Sequence, residues 1–189
     1  MTIYHIIIGK IMHRFRTTFF LAIVALLLSV SPLSIAQDRI PAPEDVLGYR
    51  LGERYTPHDG IVKYLNALAN AAPDRMRIVR YGTTYEGRAL QFAVLGSSSN
   101  LARLDEIRTD SRKLADPRTL AEREAADLAR TMPAIAWLSY GVHGNEASSP
   151  EAALNVLYLL LSSADPETAC LIDKLVVVID PLLNPDGHE

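Results

Sequence analysis

Leu175-Val-Val-Val-Ile179 is a five-residue run without a polar side chain. A strand with one wet face alternates apolar and polar residues, so an unbroken apolar run calls for cover on both faces of its sheet. A second strand-forming segment, Ala134–Tyr140, stands upstream of it. Between them Glu151–Ser162 has helical spacing and is apolar nearly all round, which predicts a buried helix. Strand, helix, strand is the unit that sets two strands parallel. The predicted fold class is therefore α/β, with a mixed, largely parallel central sheet flanked by helices. Earlier in the chain, Met76–Tyr81 and Ala89–Leu95 are strand-like, and the Glu86-Gly87 pair between them predicts an antiparallel hairpin. A helix is expected after Asp59, with Ile61, Tyr64, Leu65 and Leu68 on one face, ending near Ala72-Pro73. The polar stretch Ser97–Met132 carries the spacing of two amphipathic helices separated by Asp116-Pro117, its charge forming a solvated face. No repeat or low-complexity tract interrupts this pattern.

The chemistry concentrates where the strand Ala134–Tyr140 turns into the following helix. Gly141-Val-His143-Gly-Asn-Glu146 occupies that turn, at the carboxyl end of the strand, the edge at which open α/β sheets place ligands. Two helix starts fit the residues behind it. Ser149 as N-cap sets Pro150 at the first helical position; Ser148 as N-cap makes a capping box with Glu151. Zinc takes a neutral imidazole nitrogen and a carboxylate oxygen, and a catalytic zinc has three protein ligands and an open water position. His143 and Glu146, three apart across a tight turn, can point at one ion, and Gly144 leaves room for the backbone to fold back. A lone H-x-x-E recurs by chance, and a loop histidine beside a helix-start glutamate is commonly a solvated pair, so spacing alone does not make a metal site.

Two further motifs give it a context. Gly82-Thr-Thr-Tyr-Glu86-Gly87-Arg88 lies in the hairpin, and Asn184-Pro185-Asp186-Gly187 follows the apolar strand. Taken in order, the three resemble the G-x-(S/T)-x-E-G-R, H-x-x-E and N-P-D-G elements of the zinc carboxypeptidase family. The variant His143-Gly-Asn-Glu146 is similar to the regulatory and large secreted bacterial branches. The digestive enzymes carry an arginine where Asn145 stands, so that arginine's substrate contact does not carry over. Pro43-x-x-x-Leu47-Gly48-Tyr49-x-x-Gly52 also resembles the lead-in of large bacterial members. The resemblance implies one Zn2+ ion, His143 and Glu146 as two of its ligands, and a peptide substrate cut at its C-terminal residue. It further implies a third ligand (a histidine), a glutamate as general base and carboxylate-binding arginines, all downstream of Glu189. The chain is thus expected to be the amino-terminal part of the catalytic domain, incomplete at its C-terminus and without a catalytic residue of its own. Arg88 is either a structural partner of Glu86 or a neighbour, or a substrate-binding residue. His58 and His188 are expected at the surface, with His188 close enough to the same sheet edge to be weighed as a stand-in third ligand. An aspartoacylase-like zinc deacylase shares the H-x-x-E site, and a truncated non-catalytic remnant or binding module is the non-enzymatic rival. The E-G-R and N-P-D-G matches favour the peptidase over the deacylase.

The organisation expected from this is a signal peptide at 1–36, an extended lead-in at 37–58 and the catalytic-domain segment at 59–189. Lys10, Arg14 and Arg16 precede the apolar run Phe19–Val30, and Ser34-Ile35-Ala36 precedes Gln37; a basic region, a short apolar region and small residues before a cleavage point mark a secretory signal. The run falls short of the roughly 20 apolar residues of a membrane span, which favours cleavage over an anchor, no stable membrane association afterwards, and a secreted or periplasmic location. Met12 offers a tidier signal start than Met1. Cleavage removes three of the 19 Lys and Arg and none of the 22 Asp and Glu, leaving a net charge of −6. With no basic stripe interleaved with aromatics, a nucleic-acid partner is excluded. The single cysteine, Cys170, has no internal partner and is expected to pack as a small apolar residue.

Overall fold

The computed structural model describes residues 39–116, 118 and 120–189; the signal segment 1–36 lies outside the described residues. Among the described residues the elements are, in order, α1 (Pro43–Leu47), α2 (His58–Ala71), β1 (Met76–Thr83), β2 (Ala89–Leu95), α3 (Ser98–Ala102), α4 (Leu104–Ala115), α5 (Glu122–Thr131), β3 (Ala134–Ser139), α6 (Ser148–Ser162), α7 (Pro166–Lys174), β4 (Leu175–Asp180) and α8 (Pro185–His188).

The four strands form one sheet in the order β1-β2-β4-β3. The hairpin β1–β2 is antiparallel, with Met76 opposite Leu95 and a bulge between Arg80 and Gly82. β4 runs antiparallel to β2 and parallel to β3, the latter in register from Ala134 opposite Leu175 to Ser139 opposite Asp180. The sheet is mixed as expected, but among the described strands one pairing of three is parallel. The reason is the hairpin: its short turn forces β2 to run against β1, and β2 then meets β4 in the opposite sense. The apolar run is β4, one of the two interior strands. Val176 to Asp180 are all buried, because side chains pointing one way join the cluster under α2 and α6 while Val176 joins Val94, Leu101 and Ile107 on the other face.

The core between the sheet and its helices is built by Ile61, Tyr64, Leu65 and Leu68 of α2, the face marked by their spacing, with Leu154, Leu157 and Leu161 of α6, and Leu95, Val177 and Ile179 from the strands. α6 departs from the expectation of all-round burial. Ala153, Leu154, Leu157 and Leu161 are buried, whereas Leu159 is 53 % exposed; the sheet and α2 cover only one side of the helix. Its start also differs from both expected caps. The N-cap is Ala147 and donates no side-chain cap, since Ser149 Oγ instead accepts from Gly141 N at 3.0 Å and Glu151 turns inward to the lead-in. Two amphipathic helices, α4 and α5, do occupy the polar stretch, with the short α3 before them. Among the described residues no helix is long and apolar enough to cross a membrane.

The lead-in is not simply extended. It contains α1, started by Asp45, whose carboxylate accepts from Ala42 N at 2.9 Å, and ended by Gly48 in a left-handed conformation (φ 80°). Ile40 is part of the core, and Tyr64 donates its hydroxyl to Pro41 O. Cys170, expected to be packed, is exposed on α7, a helix that buries none of its residues.

The unequal sides of α6 make a stability test. Leu154→Ala empties a fully buried site and is expected to cost about 2–5 kcal/mol, whereas Leu159→Ala is expected to stay within about 0.5 kcal/mol of the parent. Urea unfolding of both variants checks this, and equal losses would contradict the packing.

Candidate metal centre

Strand β3 ends at Ser139, but the ladder persists one residue further, as Tyr140 N donates to Asp180 O at 2.9 Å. Gly141 then takes φ 61°, a conformation glycine adopts without strain, and the chain turns away from the sheet. His143 and Glu146 follow in a turn closed by Glu146 N donating to His143 O. The turn brings their side chains together: His143 Nδ1 lies 3.2 Å from Glu146 Oε1, with 72 % and 57 % of the two side chains exposed. Two donors on one tetrahedral zinc at ordinary bond lengths stand about 3.3 Å apart. The pair therefore fits two corners of such a site, and its openness leaves the approach free. Among the described residues no group of three His, Cys, Asp or Glu gathers around a common point.

The turn is braced by the N-P-D-G segment. Leu183 N donates to Tyr140 O and Asn184 N to Gly141 O, which continues the contact between the two strand ends. The Asn184 amide works in both directions: Oδ1 accepts from Gly187 N at 3.1 Å and Nδ2 donates to Val142 O at 3.3 Å. Gly144 meets the same segment so closely that a Cβ there would sit 1.7 Å from the Gly187 carbonyl oxygen. The sequence reason given for Gly144, room for its own backbone to fold, is replaced by a more specific one: another stretch of backbone occupies the space.

The E-G-R element is tied in through Asp186. Thr84 Oγ1 donates to Asp186 Oδ1 at 2.7 Å, Glu86 N donates to Oδ2 at 3.3 Å, and Arg88 Nη1 donates to Oδ1 at 2.8 Å and to Glu86 Oε2 at 2.5 Å. Arg88 thus makes the structural pairing, with both Glu86 and a motif far away in sequence. Burial opposes the charge on Asp186, but the hydrogen bonds from Thr84, Arg88 and Glu86 N, with the nearby guanidinium, outweigh it and hold its carboxyl below the ordinary range. The hairpin and this turn also wall an open cleft of about 350 Å³, bordered by Thr84, Tyr85, Leu90, Leu183 and Pro185.

Neither of the other two histidines among the described residues is the surface residue that the sequence suggests. His58 is half-buried with Nε2 3.0 Å from Ala89 O. His188 is 5 % exposed, its Nδ1 3.0 Å from Gly144 O and its Nε2 2.9 Å from Thr56 O. Both ring nitrogens face carbonyls, so His188 does not stand in as a third ligand. Two buried carboxylates have partners that the sequence alone does not reveal. Glu151 accepts from Thr56 Oγ1 at 2.7 Å and Gly52 N at 2.6 Å. Asp180, 1 % exposed, accepts from the Tyr81 hydroxyl at 2.7 Å. Burial raises the Asp180 carboxyl against the hydrogen bonds from Tyr81 and Leu182 N, and burial with the Asp180 bond raises the Tyr81 hydroxyl in turn. Asp180 ends the apolar run, and that polar residue after four buried ones was its only signal.

These features define an α/β domain with a candidate metal turn at the carboxyl edge of its sheet. The chain belongs to the zinc carboxypeptidase family, whose sequence pattern matches residues 61–189. Solved structures share the fold at low identity. Carboxypeptidase A from Helicoverpa armigera superposes with a TM-score of 0.51 at 16 % identity, over 77 % of this chain and 31 % of that one. Thrombin activatable fibrinolysis inhibitor gives 0.50 at 15 % identity, over 81 % and 30 %. The chain therefore spans under a third of the length of these relatives.

Two tests follow from the bracing. Gly144→Ala is expected to expel the Gly187 backbone and destabilise the domain by about 2 kcal/mol or more, seen as a lower unfolding midpoint. The depressed Asp186 carboxyl stabilises the fold above its unfolded value of about 3.9, and that stabilisation is lost as pH falls through the folded value below it. The melting temperatures of the parent and Asp186→Asn are thus expected to differ at pH 6 and converge as pH drops below about 4.

Proposed function

We propose that this chain is the zinc-turn segment of a secreted or periplasmic metallocarboxypeptidase that removes C-terminal residues from peptides. The observation that carries the reading is the His143–Glu146 pair, 3.2 Å apart on a turn braced by both other family motifs. Family membership supports hydrolase chemistry on peptides, and the donor set supports zinc. When bound, zinc supplies a Lewis acid and a water made acidic enough to act at neutral pH. This chain's own residues hold and orient. His143 and Glu146 furnish two ligands; Asn184 and Gly144 fix the turn; Arg88, Thr84 and Glu86 fix Asp186 and with it the bracing segment. Arg88 acts here as a positioning residue, since its Nη1 is engaged by two carboxylates.

Two donors leave a catalytic site one protein ligand short, so the third ligand and the general base belong to other parts of the enzyme. The 189-residue chain alone is accordingly expected to bind zinc weakly and to hydrolyse no peptide. His143→Ala and Glu146→Ala are each expected to abolish the zinc binding that isothermal titration detects. An enzyme containing this segment is expected to release free C-terminal residues and to lose that activity with either substitution. Tight one-to-one zinc binding or peptide hydrolysis by the 189-residue chain would overturn the two-donor reading, and deacylation of small amides in place of peptide cleavage would favour the aspartoacylase-like alternative.

Export is part of the same proposal. The basic residues before Phe19–Val30 and the small residues before Gln37 support it. Mass spectrometry of the exported protein is expected to find Gln37 at its amino terminus; retention of Phe19–Val30 would mark an anchor.

A further inference from the structure

The lead-in residues 49–58 precede the stretch that matches the family pattern, which begins at residue 61, yet they reach the metal turn through one side chain. His188 sits between two backbone carbonyls, Gly144 O at 3.0 Å and Thr56 O at 2.9 Å. A carbonyl oxygen only accepts and a neutral imidazole has a single N–H, so the ring bonds both carbonyls at once only with a proton on each nitrogen, and otherwise bonds one and contacts the other. The ring is 5 % exposed and is stacked on Tyr55 with centroids 4.4 Å apart and planes inclined by 25°. Gly144 lies inside the turn whose two ends are His143 and Glu146. With Gly144 held from one side by the Gly187 backbone and at its carbonyl by His188, the spacing of the two donors has little freedom.

The other end of this bridge is firmly anchored. Thr56 is 1 % exposed and its hydroxyl both donates to Glu151 Oε1 at 2.7 Å and accepts from Tyr49 at 3.1 Å. Glu151 Oε2 accepts from Gly52 N at 2.6 Å, and Glu151 itself is on the first turn of α6, which starts just after the metal turn. His58 N donates to Glu189 Oε1 at 2.6 Å, a second tie between the lead-in and the segment carrying His188. The lead-in, α6 and the metal turn thus form a closed loop of contacts, and His188 is the link that completes it.

We propose that His188 is a positioning residue for the metal turn: it clamps the Gly144 carbonyl to the lead-in at Thr56 and so sets the geometry of His143 and Glu146 without ligating the ion. The assignment rests on the zinc reading given above for its purpose, while the clamp itself is a property of the metal-free protein. It also gives the lead-in a role at the site rather than that of a passive tether.

The decisive variant is His188→Phe, which retains the stack on Tyr55 and removes the ring nitrogens that face the two carbonyls. Two measurements on the 189-residue chain separate the possibilities. In the metal-free protein, hydrogen exchange in peptides covering residues 140–149 is expected to accelerate in His188→Phe, with peptides from β2 and β4 unchanged. In the presence of cobalt(II) as the spectroscopic probe, the variant is expected to bind about tenfold more weakly than the parent, the usual scale for loss of a group that orients a ligand. His188→Gln, which keeps an amide donor, is expected to recover part of the affinity. Unchanged exchange at residues 140–149, or unchanged cobalt affinity in a parent that binds, overturns the proposal. If the parent itself binds no cobalt, the zinc reading fails and the exchange arm decides the clamp by itself. Should His188→Phe fail to fold, His188→Asn, whose single amide nitrogen does not span both carbonyls, takes its place with the same two readouts and the same overturning outcomes.

Discussion

One carboxylate joins segments that are far apart in the chain. Asp186 receives Thr84, Arg88 and the backbone of Glu86, and in doing so fixes the hairpin end to the turn after β4. That turn then supports the strand-to-helix connection through Asn184 and through the space at Gly144. Without the Asp186 contacts, the three motifs would be three loops at one sheet edge, each free to move. With them, the loops become one braced surface carrying the His143–Glu146 pair.

The sheet makes that gathering possible. Because β3 and β4 are parallel, both chains leave it at the same edge, and the turns that follow them are neighbours by construction. The antiparallel hairpin contributes differently: β1 delivers its last residues to that edge, and β2 starts from it, so the E-G-R turn between them lands there too. Core packing of α2 and α6 beneath the sheet fixes the strand ends, while the site itself is assembled almost entirely from hydrogen bonds and close backbone contacts. The apolar core sets where the edge is, and the polar network sets what stands on it.

The exposure of the donor pair and the burial of its supports divide the work. His143 and Glu146 face solvent, as an ion and a substrate require. Asp180, Glu151, Thr56 and His188 are buried and satisfied by named partners, so they resist reorientation. Buried polar groups with complete hydrogen bonding rigidify their surroundings, and here they lie around a turn that must hold two donors at a fixed spacing.

Local signals determined much of this protein. The spacing of Ile61, Tyr64, Leu65 and Leu68 marked the face of α2, the run Leu175–Ile179 marked an interior strand, and Ala89–Leu95 coincided with β2, because periodicity and continuous apolarity report directly on how a segment is covered. His143 and Glu146 could be paired from sequence because only two residues of turn, Gly144 and Asn145, separate them. Tertiary structure decided the rest. Glu151 has the position of a capping-box residue, but Thr56 and Gly52, almost a hundred residues earlier, offered its carboxylate better partners. His188 is a polar residue beside a glycine with no local sign of burial; only the arrival of the lead-in encloses it. Cys170 is exposed and Leu159 partly so because no described element packs over their sides of α7 and α6. Each of these outcomes depends on which distant segment supplies the neighbour, and the residues flanking a position do not carry that information.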